Sequence, residues 1–152
     1  MEAMSKMRQE LDDALCEKYP KIFRDRHASM THTAMCWGFE CYDGWYNIID
    51  TLCYQIQHYI DGTNERRDLL LKNNPYNIAI PDEIPQVVAS QVKEKFGTLR
   101  FYTDGGNERI DGMIRMAEAM SSVTCEVCGN IGSLRNSGGW YSTCCDEHAP
   151  KD

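Results

Sequence analysis

Two short cysteine pairs near the C-terminus are the residues best suited to chemistry. The segment reads Cys125-Glu126-Val127-Cys128-Gly129, then a glycine-rich stretch to Trp140-Tyr141, then Cys144-Cys145-Asp146-Glu147-His148. A Cys-x2-Cys pair followed by Gly forms a knuckle, in which two thiolates converge and backbone amides point at sulfur. Sixteen residues later, Cys145 and His148 repeat the x2 spacing. Four N/S donors in two such pairs suit one tetrahedral zinc ion. Four protein ligands leave no vacant position for an activated water, so the predicted zinc is structural. Cys144 is an alternative third ligand at x3 spacing. A hairpin between the pairs would let Trp140 pack against the site. Two disulfides are the competing reading, but they leave His148 without a role. A zinc deaminase needs a His-x-Glu element, and the chain has none.

Two other strings stand out. Lys93-Glu94-Lys95-Phe96-Gly97-Thr98-Leu99-Arg100-Phe101-Tyr102 predicts a hairpin on which Lys93, Lys95 and Arg100 converge near the turn. Phe101 or Tyr102 could stack a base there, which suits a nucleotide. An ordinary hairpin with a solvated charged face and a buried aromatic face is the plain alternative. Gly38 to Tyr46 packs aromatics around a turn, with Trp45 and Tyr46 as possible anchors for a ligand or partner; core packing explains the same residues. Glu40 and Asp43 could pair as carboxylates, without an identifiable substrate. His27, His32, Cys36 and Cys41 could form a second metal site, although their spacings are irregular. Cys16 and Cys53 read as small core residues.

The elements that must carry these residues follow from periodicity. Ser5 is a plausible N-cap for a helix with Met7, Leu11, Ala14 and Leu15 on one face, ending near Tyr19-Pro20. Residues 24–36 read as loop. Asp43-Gly44 starts a second helix with Trp45, Ile48, Ile49, Leu52, Ile56, Tyr59 and Ile60 inward, closed by Asp61-Gly62. Residues 62–86 read as a long irregular connection, of a kind that often carries function. Val87 to Tyr102 is the hairpin, with Phe96-Gly97-Thr98 at its turn. A third helix follows Asp104-Gly105-Gly106, with Ile110, Met113, Ile114, Ala117 and Met120 on one face. The expected fold is α+β: helices on a small antiparallel sheet in a body of residues 1–123, with a zinc-binding segment, 124–152, packed on it.

Composition narrows the function. The chain has 152 residues and a formal net charge of −7, with 9 basic and 12 acidic side chains in residues 1–76 and 7 and 11 in 77–152. Neither half is basic, so binding to duplex nucleic acid is disfavoured. An acidic surface can meet basic partners. No apolar run is long enough for a membrane span, and the N-terminus shows no signal-peptide core. Eight cysteines in a reduced compartment read as metal ligands or packing.

The residues also carry a resemblance. Tyr19 to Phe23, Gly44-Trp45, the hairpin Lys93 to Tyr102 and the Cys125 to His148 tail together resemble a family of small proteins encoded by bacteriophages and prophages. In that family Leu usually precedes the third metal ligand, which favours Cys145. The resemblance implies a phage origin and the bacterial host cytoplasm, and it implies no activity. The expected function is non-enzymatic: an accessory protein that binds and inhibits a host protein, such as a nuclease effector of a defence system. The alternatives are capture of a nucleotide signal by the 93–102 hairpin, and a zinc-ribbon nucleic-acid or transcription accessory factor.

Overall fold

The helical spacing at the N-terminus produces α1, Gln9–Lys18, in the computed structural model, which describes residues 6–151. Arg8 stands at its N-cap, and its side chain does not cap the helix but bonds to Asp43; Ser5, the expected cap, lies outside the described residues. Leu15 points into the core, and so does Asp12. An isolated buried carboxylate costs several kcal/mol, and Arg26 offsets that cost. Its Nε and Nη2 donate to the two Asp12 oxygens at 3.0 and 2.8 Å, and its Nη1 donates to the Cys36 carbonyl at 3.1 Å. This fork ties α1 to the 24–36 segment, which is not wholly loop as expected but ends in a helical turn at Ala34–Trp37.

A helical turn at Asp43–Trp45 leads into α2, Tyr46–Lys72. Ile48, Ile49, Leu52, Cys53, Ile56 and Ile60 form its buried face. The helix does not close at Asp61-Gly62. It continues for ten further residues, none of them buried. Polar bonds from the following connection explain the override. Asn64 both donates to and accepts from the backbone of Ile84, at 2.9 and 2.8 Å, and Arg67 donates to the Pro81 carbonyl at 2.8 Å. The irregular connection is therefore shorter than predicted and begins after Lys72.

The hairpin pairs β2, Val88–Lys95, with β3, Thr98–Asp104, in antiparallel register, Val92 opposite Phe101 and Lys93 opposite Arg100. Phe96 and Gly97 have φ of 53° and 83°, the two left-handed positions of a tight two-residue turn. A short strand, β1 (Phe39–Glu40), adds a parallel edge to β2 that the alternation did not predict. The third helix, α3 (Glu108–Ser121), is capped by Asn107, whose side chain accepts from Ile110 N–H at 3.0 Å. It lies along the free edge of β3, where Ser121 Oγ and the Glu118 carboxylate accept from the Leu99 and Phe101 amides at 2.9 and 3.1 Å. Covering an edge in this way removes a template for unwanted strand pairing.

The apolar core gathers Met35, Phe39, Trp45, Ile49, Ile56, Val92, Leu99 and Ile110 between the helices and the inner face of the sheet. A second sheet, β4 (Ser133–Ser137) with β5 (Trp140–Cys144), forms the C-terminal ribbon and supplies no residue to that core. Among the described residues no helix is long and apolar enough to cross a membrane.

Candidate metal centre

The knuckle is built by a short reversal. The Cys125 amide donates to the Asn130 carbonyl at 2.7 Å, the Gly129 amide donates to the Cys125 carbonyl at 2.9 Å, and Thr124 bridges Ile131. Gly129 sits at φ 82°, a left-handed position that favours glycine. The β4–β5 ribbon then returns the chain, and a helical turn at Asp146–His148 brings His148 beside Cys145.

The result is one group of four donors. The Cys125, Cys128 and Cys145 sulfurs and a ring nitrogen of His148 all lie within 4.8 Å of one another. Cys128 Sγ is 3.7 Å from Cys145 Sγ, and His148 Nδ1 is 3.2 Å from Cys145 Sγ and 3.7 Å from Cys125 Sγ. These residues could hold a metal ion. Burial opposes ionisation of Cys125, but the backbone amides of Cys145, Cys128 and Val127 outweigh it and hold the thiol down at about 6. A thiol lowered by converging amides is ready to ligate as thiolate. Cys144 is buried and stays outside the group, with its sulfur 3.9 Å from Ser142 Oγ. Trp140 does not pack against the site. It begins β5 at the far tip of the ribbon, some 13 Å of strand from Cys144, and is 82% exposed.

The centre is clamped to the body by the two strings that the sequence made conspicuous. Gly44 N–H donates to the Glu126 carbonyl at 2.7 Å, Tyr42 N–H to the Glu126 carboxylate at 3.1 Å, and the Trp45 indole N–H to the Thr124 carbonyl at 2.9 Å. A Cβ on Gly44 would lie 2.1 Å from the Cys125 carbonyl oxygen. Glu126 is buried, and burial raises its pKa while the Tyr42 amide opposes the rise. On the other side, Thr143 Oγ1 donates to the Gly97 carbonyl at 2.7 Å, and the Phe96 and Tyr141 rings meet edge to face at 6.4 Å. A Cβ on Gly97 would press on Leu134 and the Ser142 amide at 2.7 and 2.9 Å. The ribbon therefore braces a turn whose Phe96 occupies a left-handed conformation uncommon for a bulky residue.

These contacts correct one surface assignment. Trp45 is fully buried and cannot anchor a partner, while Tyr46 is half-buried against the core with its hydroxyl 3.4 Å from Lys18 Nζ. An aromatic cluster beside a turn has the same composition whether it faces water or a docked segment. The carboxylates Glu40 and Asp43 are engaged separately, Glu40 by Gln91 and Asp43 by Arg8. His27, His32, Cys36 and Cys41 are not brought together; among the described residues the only group of three or more metal-type donors is the C-terminal one. Cys41 and Cys53 are buried thiols whose pKa burial pushes up. Cys16 is half-buried, and burial beside Asp12 pushes its thiol up to about 12.

Lys93, Lys95, Arg100 and Tyr102 share the outer face of the sheet, as alternation from the core residues Val92, Leu99 and Phe101 requires. Sequence reasoning missed Glu126, Thr143 and the Asp12–Arg26 pair. The usable signals were the glycines of Gly44-Trp45 and Phe96-Gly97, each marking a place where another backbone approaches closely. Comparison with protein-family models, with curated proteins and with solved structures finds no match for this chain.

Proposed function

We propose that this is a zinc-stabilised, non-catalytic binding protein of phage origin that engages and inhibits a host protein. The donor set supports zinc in the C-terminal centre. With Zn–S near 2.3 Å and Zn–N near 2.0 Å, a tetrahedron has edges of roughly 3.8 Å between sulfurs and 3.5 Å between sulfur and nitrogen. The separations of 3.7, 3.7 and 3.2 Å lie close to those edges, within a group that spans up to 4.8 Å. Cys125, Cys128, Cys145 and His148 would supply all four ligands, so the ion would serve as a scaffold.

The observation that carries the binding role is the arm formed by the second half of α2 and the connection after it. Leu69, Leu71, Tyr76, Ile78 and Ile80 are 60, 57, 86, 42 and 41% exposed there. Exposed apolar side chains concentrated on one segment mark interaction surfaces. The connection is tied to α2 by polar bonds at Asn64 and Arg67, and Asn74 clasps the backbone of Ile78 from both sides, at 2.8 Å each. Such a preordered arm loses little entropy on binding. The net charge of −7 favours a basic target, such as a protein that handles nucleic acid.

Affinity capture from host lysate tests this reading. Wild type should retain one protein stoichiometrically and suppress its activity. A Leu69→Glu/Tyr76→Ala/Ile80→Glu variant should lose capture while keeping its metal and its thermal unfolding midpoint. Capture unaffected by these changes, or an arm that only joins two copies of the chain in light scattering, would contradict it.

A further inference from the structure

We propose that the outer face of the three-stranded sheet is a binding site for a nucleoside phosphate, with phosphate held by Lys93, Lys95 and Arg100 and the base stacked on Tyr102. This goes beyond the host-protein reading, because it concerns a different face and does not require the arm.

The register sets the arrangement. Gln91 pairs with Tyr102, Lys93 with Arg100 and Lys95 with Thr98, so these six side chains form three rows on one face. Lys93 and Arg100 are direct cross-strand neighbours, about 5 Å apart at Cβ, and Lys95 lies about 7 Å further along β2. Like charges placed directly opposite each other destabilise a hairpin. Here no ion pair relieves them: none of Lys93, Lys95 and Arg100 pairs with a carboxylate among the described residues. In a chain with 23 acidic and 16 basic residues, three adjacent cations with one flanking carboxylate, Glu40 beside Lys93, leave a net positive field opposite to that of the whole. An anion is the missing complement.

The rest of the face says which anion. Arg100 uses Nη1 on Thr98 Oγ1 and the Leu99 carbonyl, at 2.6 and 2.9 Å, which fixes the guanidinium and leaves its Nε and Nη2 donors for a phosphate. Tyr102, one row away, is 39% exposed, and Phe96, at the turn, is 67% exposed with Lys95 Nζ 5.8 Å from its ring centre. Cations flanked by exposed aromatic faces match a ligand that joins phosphate to a planar base. A carboxylate ligand or a bare polyanion would leave the rings unused. Glu40, opposite Lys93 on β1 and bonded to Gln91 at 3.1 Å, closes the face on one side and directs the anion toward β3. Glu94 points away and accepts from the Gly97 amide. The ribbon holds Phe96 and Gly97 from behind, so the turn end of the face is rigid before ligand arrives.

A free nucleotide and a single strand share this chemistry, and two assays separate them. Purified metal-loaded protein is titrated with a fluorescent single-stranded octanucleotide by anisotropy, and with nucleoside mono-, di- and triphosphates by thermal shift, both near 50 mM salt. At least one should bind. Strand binding should weaken with salt at a log–log slope of about −2, the value for three phosphate contacts on a single strand. Lys93→Gln/Lys95→Gln should weaken binding at least about tenfold and flatten that slope. Tyr102→Leu should weaken it about fivefold or more through lost stacking, with the slope unchanged. Metal content and thermal midpoint should match wild type in both variants. Absence of binding in both assays overturns the proposal. So does binding that neither variant weakens, or binding matched by base-free heparin and insensitive to Tyr102→Leu.

Discussion

The body and the C-terminal ribbon are held together by different physics. In the body, Leu15, Ile22, Met35, Phe39, Trp45, Ile49, Ile56, Val92, Leu99 and Ile110 are buried in one continuous apolar cluster. In the ribbon segment the buried residues are Cys125, Glu126, Thr143 and Cys144, while Ile131, Leu134, Trp140 and Tyr141 stand exposed. A segment this short with so little apolar burial cannot offset its own conformational entropy. A group of four donors that could hold a metal ion, and hydrogen bonds to residues 42–45 and 97, stand where a core would be. The difference teaches where each kind of damage should travel: through packing in the body, and through ligands in the ribbon.

Changing one ligand of the proposed zinc should cause the largest loss, because structural zinc contributes about 10–16 kcal/mol of binding free energy to folding in small zinc modules. Cys145→Ser should purify with little metal and a protease-sensitive tail. Cys144→Ser should keep about one zinc per chain by elemental analysis. The reverse outcome would exchange their roles. In the body, Asp12→Ala leaves Arg26 buried without its partner, and should cost about 3–5 kcal/mol in denaturant unfolding with metal content intact. Gly44→Ala strikes the junction. Its Cβ would meet the Cys125 carbonyl at 2.1 Å, so the knuckle should separate from the 42–45 turn and lose about 1–3 kcal/mol, the scale of overpacking. Gly62→Ala should do the opposite. It lies within α2 with nothing within 4 Å of an added Cβ, and should stabilise the arm by up to about 1 kcal/mol. A destabilised Gly62→Ala protein would argue that the helix ends where the local signal says.

That last pair shows what was legible in the chain and what was not. The spacing of Cys125, Cys128, Cys145 and His148 predicts a donor cluster because short intervals constrain geometry on their own. The hairpin and the α+β order follow from alternation and from the apolar faces of the helices. Asp61-Gly62 misleads because a local stop signal of about 1 kcal/mol is overridden by bonds to Ile84 and Pro81, some twenty residues away. Trp45 allows two readings. It lies in the body's apolar core with its indole bonded to Thr124, so the inward reading holds and the partner-anchor reading does not. The Asp12–Arg26 pair is invisible to periodicity, since a charged residue on the inward face of α1 looks like a break in the pattern until its partner arrives.

The central claim is that one metal ion holds the ribbon and that the ribbon braces the two strings it touches. Amide hydrogen exchange on metal-loaded and chelated protein tests it most directly. On chelation, protection should fall throughout 124–148 and in part at residues 42–45 and 96–98, while the buried centre of α2 and the Val92–Phe101 ladder keep theirs. Unchanged protection in the ribbon after complete metal removal, or global loss that includes α2, would contradict the account.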